Sequence, residues 1–179
     1  MITVNEVMRN IGKGQSSIGV KYIIKALEEF YNKIRPKIRV MYASKEFEGV
    51  TVFFKIPSEK VNSLYYDICI WFGTETRFTT KTLLKIYSNS PKFGYNFAYL
   101  YNQDEALLFK NKFPKEFLTI PPKTRNPLET KGFDKHVYAC LRFMVRVNLN
   151  DLTHQFENKS EPFITSFSDK EKESKTKRK

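Results

Sequence analysis

Glycine, cysteine and histidine are all scarce in this chain. Seven glycines among 179 residues argue against a loop-dominated or low-complexity polymer. Cys69 and Cys140, the only cysteines, lie in separate apolar runs without a C-x-x-C partner, which excludes a disulfide framework and reads as two buried thiols in a reducing compartment. His136 and His154 are isolated from each other and from the cysteines, so no metal site and no cofactor are expected. No apolar run approaches the roughly 20 residues of a membrane span. The first residues also lack the apolar stretch of a signal peptide. A soluble intracellular protein without a membrane partner is the expectation.

Aromatics and positive charge are abundant. Sixteen Phe and ten Tyr are enough for a sizeable core without disulfides or metals. The formal charge is +12, from 31 Lys and Arg against 19 Asp and Glu. Residues 168–179, "SDKEKESKTKRK", carry a net +3 of it, so about +9 belongs to the rest of the chain. Polyanions are the obvious partners: nucleic acid, an acidic protein surface or a membrane face.

The hydrophobic periods predict an α+β domain. Thr3 and Glu6 have capping-box spacing and predict a short helix over 4–10. Ser16 or Ser17 caps a longer one, in which Val20, Ile23, Ile24, Leu27, Phe30, Tyr31 and Ile34 recur at three- and four-residue steps. Pro36 ends it. Five runs then read as strands over 37–102: "KIRVMYA", "VTVFFKIP", "YYDICIWF", "TLLKIYS" and "YNFAYLYN". Short connections make them mostly antiparallel, as a sheet or small barrel of about five strands packed by two helices, with extended termini. In "YYDICIWF" both faces are apolar, so something covers the sheet on each side. Along "YNFAYLYN" the strand reading puts Tyr95, Phe97, Tyr99 and Tyr101 on one face. Residues 103–133, with four prolines, form an irregular excursion along the sheet edge. Asp134 caps a further helix, and a last weak one falls at 151–158. Three regions follow: an N-terminal extension (1–15), the domain (16–167) and a basic disordered tail (168–179).

Motifs for chemistry are incomplete. In "IGKGQSSIGVKY" Gly14 and Gly19 have P-loop separation, but Val20 intervenes before Lys21 and Tyr22 replaces the magnesium-binding hydroxyl, so the stretch reads as a helix start. Asp67 with Glu129 and Lys131 has the order of a metal-dependent nuclease, yet the triplet 129–131 sits in a Pro- and Gly-bounded loop. Neither histidine lies near a glycine-flanked serine, and His136 reads as a surface or interface residue. Catalytic, cofactor-binding and metal-binding residues are therefore expected to be absent. Lysines interleaved with aromatics offer a binding surface instead: Lys92, Phe93, Tyr95, Tyr99 and Tyr101, joined by Lys175, Lys177, Arg178 and Lys179 of the tail.

Two stretches, "KIYSNSPKFGYNFAYLYN" (85–102) and "PPKTRNPLETKGFDKHVY" (121–138), resemble small virion-associated proteins of tailed bacteriophages with AT-rich genomes. The resemblance covers about a third of the chain and includes no catalytic motif. It implies a non-enzymatic structural component of the virion, in capsid, neck, connector or tail. Expected partners are other virion proteins, in multiple copies of a symmetric assembly, with DNA as a further contact. Location would be the virion, and host cytoplasm before assembly. The alternatives are a phage-encoded nucleic-acid-binding protein and a metal-dependent nuclease.

Overall fold

The computed structural model describes residues 1–11, 16–46, 48–61, 63–122, 126, 132 and 134–177. The chain starts with a two-residue strand, β1 (Ile2–Thr3), and the expected capping box follows at once. Thr3 Oγ1 accepts from the Glu6 N–H, and the Glu6 carboxylate accepts from the Thr3 N–H at 2.7 Å, which opens helix α1 (Val4–Arg9). Ser16 accepts from the Gly19 N–H at 3.2 Å and starts α2 (Ser17–Ile34). A 3₁₀ turn, Arg35–Lys37, ends that helix at Pro36, as the proline predicts.

Four strands follow: β2 (Arg39–Glu46), β3 (Gly49–Pro57), β4 (Tyr65–Phe72) and β5 (Leu83–Ser88). All pair antiparallel in the order β1-β5-β4-β3-β2, an open sheet and not a closed barrel. The α+β class holds. Cross-strand register puts Val52, Ile70 and Ile86 on one face and Phe53, Cys69 and Tyr87 on the other. All six are buried, so β4 is covered on both sides as its sequence suggests. Phe109 edges onto Phe53 and Tyr87 on the second face, and Phe113 onto Tyr87. The edge of β5 is lined by β1 at Leu83 and Leu84 and by Leu107, bridged to Ile86.

The fifth expected strand is overturned. "YNFAYLYN" belongs to two short helices, α3 (Pro91–Asn96) and α4 (Ala98–Gln103). Ser90 caps α3 by accepting from the Phe93 N–H at 3.3 Å, with Pro91 in the first turn, where its missing N–H costs nothing. Phe93, Phe97 and Tyr101 recur every four residues and are all buried, a helical period that outweighs the β propensity of the rings. Tyr95 and Tyr99 are half-buried, so the four aromatics do not share a strand face.

After α4 come a 3₁₀ turn (Lys110–Lys112), α5 (Glu116–Thr119), α6 (Lys135–Met144), α7 (Leu149–His154) and α8 (Phe167–Thr176). The expectation of disorder from residue 168 differs from the structure, which continues helical to Thr176. Phe167 is fully buried against Phe113, Phe117 and Tyr95, and Lys170 is buried beside Glu173. The link from α7 to α8 is clamped to the sheet. The Thr165 carbonyl accepts from the Tyr87 hydroxyl at 2.7 Å and from Asn89 Nδ2 at 3.1 Å, and the Thr165 N–H donates to Asp67 Oδ2 at 3.1 Å.

Candidate functional site

The nine residues read as a binding surface disperse. Phe93 and Tyr101 are fully enclosed, with ring centroids 5.5 Å apart, and the Tyr101 hydroxyl donates to the Gly132 carbonyl. Neither has surface left for a partner, which corrects their assignment: both are core. Tyr95 donates its hydroxyl to Glu171 at 2.6 Å and edges onto Phe117, an internal tie between α3 and α8. Tyr99 is half-buried, and Lys92 is exposed. Lys175 pairs with Glu171 at 3.1 Å, while Lys177 pairs with Glu173 and donates to the Ser63 carbonyl at 2.9 Å. Arg178 and Lys179 lie outside the described residues, as do Gly14 of the glycine-rich stretch and the nuclease triplet 129–131. Asp67, the remaining nuclease candidate, is a clamp residue: it accepts from Asn89 Nδ2 and the Thr165 N–H.

One of the nine, Lys92, borders a cleft of about 360 Å³, together with Ser58, Glu59, Lys60, Tyr66, Pro91, Lys135 and His136. Lys177 is anchored on Ser63, in the connection that also carries Ser58, Glu59 and Lys60. Three local structures build the walls. After β3, Ser58 Oγ accepts from the N–H groups of Lys60 and Val61 and turns the chain so that Glu59 and Lys60 project. The start of α3 presents Pro91 and Lys92, and the start of α6 presents Lys135 and His136. Glu59 is flanked by two cations: it pairs with Lys135, and with Lys33 at 3.8 Å. The Lys135 ammonium beside it holds the Glu59 carboxyl below the usual carboxylate range. Among the described residues, Lys60 and Lys92 have no carboxylate partner.

The inner wall is a polar cluster on Asp134. Its Oδ1 accepts from the N–H groups of His136 at 3.1 Å and Val137 at 2.9 Å, which caps α6. Its Oδ2 takes the Ser90 hydroxyl and faces His136 Nδ1 at 3.3 Å. Burial works against ionising this carboxyl, but His136, Ser90 and Val137 outweigh it and hold Asp134 below its ordinary pKa. An ionised Asp134 has no proton to give, so Nδ1 of His136 is the donor in that contact. The ring is held between Phe30 and Tyr66, with centroids at 5.2 and 4.8 Å. Its Nε2 is buried and has no hydrogen-bond partner among the described residues.

This arrangement is not a serine–histidine relay. Ser90 points at the carboxylate instead of the imidazole, and its oxygen also caps α3. Nor are the thiols placed for attack: burial pushes Cys69 and Cys140 well above the ordinary cysteine pKa, which keeps them protonated. What the cleft offers is positive charge around one buried, unpaired nitrogen.

His136 is a correction to the sequence reading, being 6% exposed instead of superficial. The signal available was Asp134 two residues before it at a helix start, since a capping carboxylate also reaches the ring of the second residue. No protein-family model matches the chain, and neither a curated protein nor a solved structure matches it.

Proposed function

We propose that the protein is a non-enzymatic structural component of a tailed-phage particle, acting through contacts with neighbouring proteins. The observation that carries this reading is the first half of α2. Ile18 is 65% exposed and Tyr22 69%, one turn apart on the helix, with Ile24 also exposed and Lys21 beside them. The far end of α2 is the more firmly anchored among the described residues: Phe30, Tyr31 and Ile34 are buried, and Glu28 accepts from the Tyr138 hydroxyl and from Arg142 Nε of α6. Helical stability in proteins comes mostly from packing of an apolar face. A projecting helix with isoleucine and tyrosine in water has a face suited to burial against a partner. The flanking Lys21 and Lys25 favour an acidic partner surface.

The resemblance of residues 85–102 and 121–138 to virion-associated proteins supplies the kind of assembly. Mass spectrometry of purified particles tests the reading. The protein is expected in stoichiometric, symmetric copy number, reduced when Ile18 and Tyr22 are both changed to Ser. Its absence from particles of the encoding phage overturns the proposal.

A further inference from the structure

We infer that one end of the sheet's second face, where Arg39, Lys55, Tyr65, Lys112 and Phe163 meet, is a binding surface for single-stranded nucleic acid. This goes beyond the assembly reading and does not depend on it.

Strand register assembles the floor. Arg39 stands opposite Lys55, Lys55 opposite Asp67, and Tyr65 opposite Pro57, two residues further along β3. Alternation puts these side chains on the face that carries Phe53 and Cys69. Phe109 and Phe113 cover that face around Phe53 and Tyr87. This end stays open: Arg39 is exposed, and the Lys55 side chain is 43% exposed. Met41, exposed where the β2 register shifts, and Phe163 border Lys55 in a shallow dimple.

Three observations point to a ligand here. The first is Phe163 itself, 82% exposed although its neighbours are fixed. Ile164 is buried and Thr165 is held by Tyr87, Asn89 and Asp67. The ring is presented from a settled backbone, so little ordering remains to be added on binding. The second is the pairing of rings with cations. The Lys112 ammonium lies 5.0 Å from the Phe163 ring centroid, and the Arg39 guanidinium 5.6 Å from that of Tyr65. The third is unspent charge. Among the described residues neither Arg39 nor Lys112 has a carboxylate partner. Asp67 lies 3.9 Å from Lys55, but it is buried and already accepts from Asn89 and Thr165. The exposed acid closest along the chain to Phe163, Glu161, is one charge against three.

The ligand chemistry follows from these groups. The dimple holds only about 10 Å³, too little for a side chain to enter, so a partner must lie across the surface. Bases stacked on exposed rings and guanidinium planes, with phosphates reaching the cations, are how single strands lie on sheets. A duplex keeps its base faces stacked on one another, so only an unpaired strand has them to give. A polyanion also complements a chain of charge +12. None of the five residues belongs to the lysine–aromatic stretch that the sequence singles out.

The test measures binding of a short dye-labelled oligothymidylate strand to the full chain by anisotropy across a salt series. Saturable binding is expected at low salt. Phe163→Ser, a change at an exposed ring, is expected to weaken it about five- to 150-fold, the range for losing one stacked base. Phe163→Tyr is expected to restore it. The double variant Arg39→Ala, Lys112→Ala should flatten the slope of log affinity against log salt by about 1.4, since each phosphate contact on a single strand contributes about 0.7. The double variant Lys21→Ala, Lys25→Ala removes the same charge from α2 and is expected to leave affinity and slope nearly unchanged. Absence of saturable binding overturns the inference. So does binding indifferent to Phe163→Ser, or a loss shared equally by the α2 double variant. Binding of polyglutamate in place of the strand, with the same dependence on Phe163, would assign the surface to an acidic protein and overturn it too. None of these outcomes bears on Ile18 and Tyr22, whose readout is incorporation into particles.

Discussion

α2 and α8 are seated on the body of the protein in different ways. The apolar stripe of α2 is half-buried at Val20, Ile23 and Leu27 and buried at Phe30, Tyr31 and Ile34, while Ile24 and, on the opposite face, Ile18 and Tyr22 are exposed. α8 contains no apolar residue after Phe167, yet it is seated on the body of the protein. One ring makes the difference. Burying a phenylalanine contributes about 1.5–3 kcal/mol, and Phe167 enters a nest of Phe113, Phe117 and Tyr95. Polar ties then hold the following turns, from Tyr95 to Glu171 and from Lys177 to the Ser63 carbonyl, while Lys170 and Lys177 bond Glu173 along the helix itself. Periodicity states which face a helix would bury.

The comparison can be broken most sharply at the anchor. Phe167→Ala is expected to lower the stability of the whole domain by about 3–5 kcal/mol, the range for truncating a fully buried ring, and chemical denaturation of the variant measures it. Gly94→Ala attacks the same seat from the other side. A Cβ there would lie 2.2 Å from a Phe167 ring carbon, so the ring must shift, at a cost of about 1–3 kcal/mol typical of overpacking. An unchanged denaturation midpoint in both variants would mean that α8 is held by its polar ties alone.

Those ties carry a pH signature. Hydrogen bonds from Lys170 and Lys177 lower the Glu173 pKa below its ordinary value. The resulting stabilisation is full above the pKa of an unfolded glutamate, about 4.3, and disappears as pH falls through the lowered folded value. Glu173→Gln should therefore lower the melting temperature at pH 7 and leave it unchanged at strongly acidic pH. The side chain is about one third exposed, so after solvent screening the effect is at most about 0.5 kcal/mol. The smallest effect belongs to α2. Ile18→Ser or Tyr22→Ser should change domain stability by no more than about 0.5 kcal/mol, as expected for a surface site, while lowering incorporation into particles. A large loss of stability in either variant would show that this face is packed in the isolated protein.

Much of the frame was legible because local chemistry decided it. Thr3 with Glu6, Ser16 and Asp134 announced their helices as caps, and four strands stood out by β-branched and aromatic runs between turn residues. The misread segment also carried its answer: Ser90-Pro91 is a helix cap followed by a first-turn proline, and Phe93, Phe97 and Tyr101 are spaced by four. Ring-rich composition concealed that spacing. β1 was beyond reach, since two residues cannot show a period. The candidate cleft was only partly legible. Lys92 was singled out, but Lys60, Lys135 and His136 are brought to it from distant parts of the chain by the sheet and by the packing of α6. Of these, only His136 had a local clue, its position two residues after a capping aspartate.

The clamp at Thr165 has a consequence for the order of events during synthesis. Asn89 and Asp67 wait for a backbone partner that follows them by 76 and 98 residues. At about 5–20 residues per second, a ribosome takes about 4–15 s to add the residues between Asn89 and Thr165. Throughout that interval β4 and β5 can pair, and Phe109 and Phe113 are made in time to cover the aromatic second face, but the buried polar groups of Asp67 and Asn89 stay wet. The sheet is thus assembled early and sealed late, and a nascent chain paused before residue 165 leaves Asp67, Asn89 and the Tyr87 hydroxyl without their backbone partner.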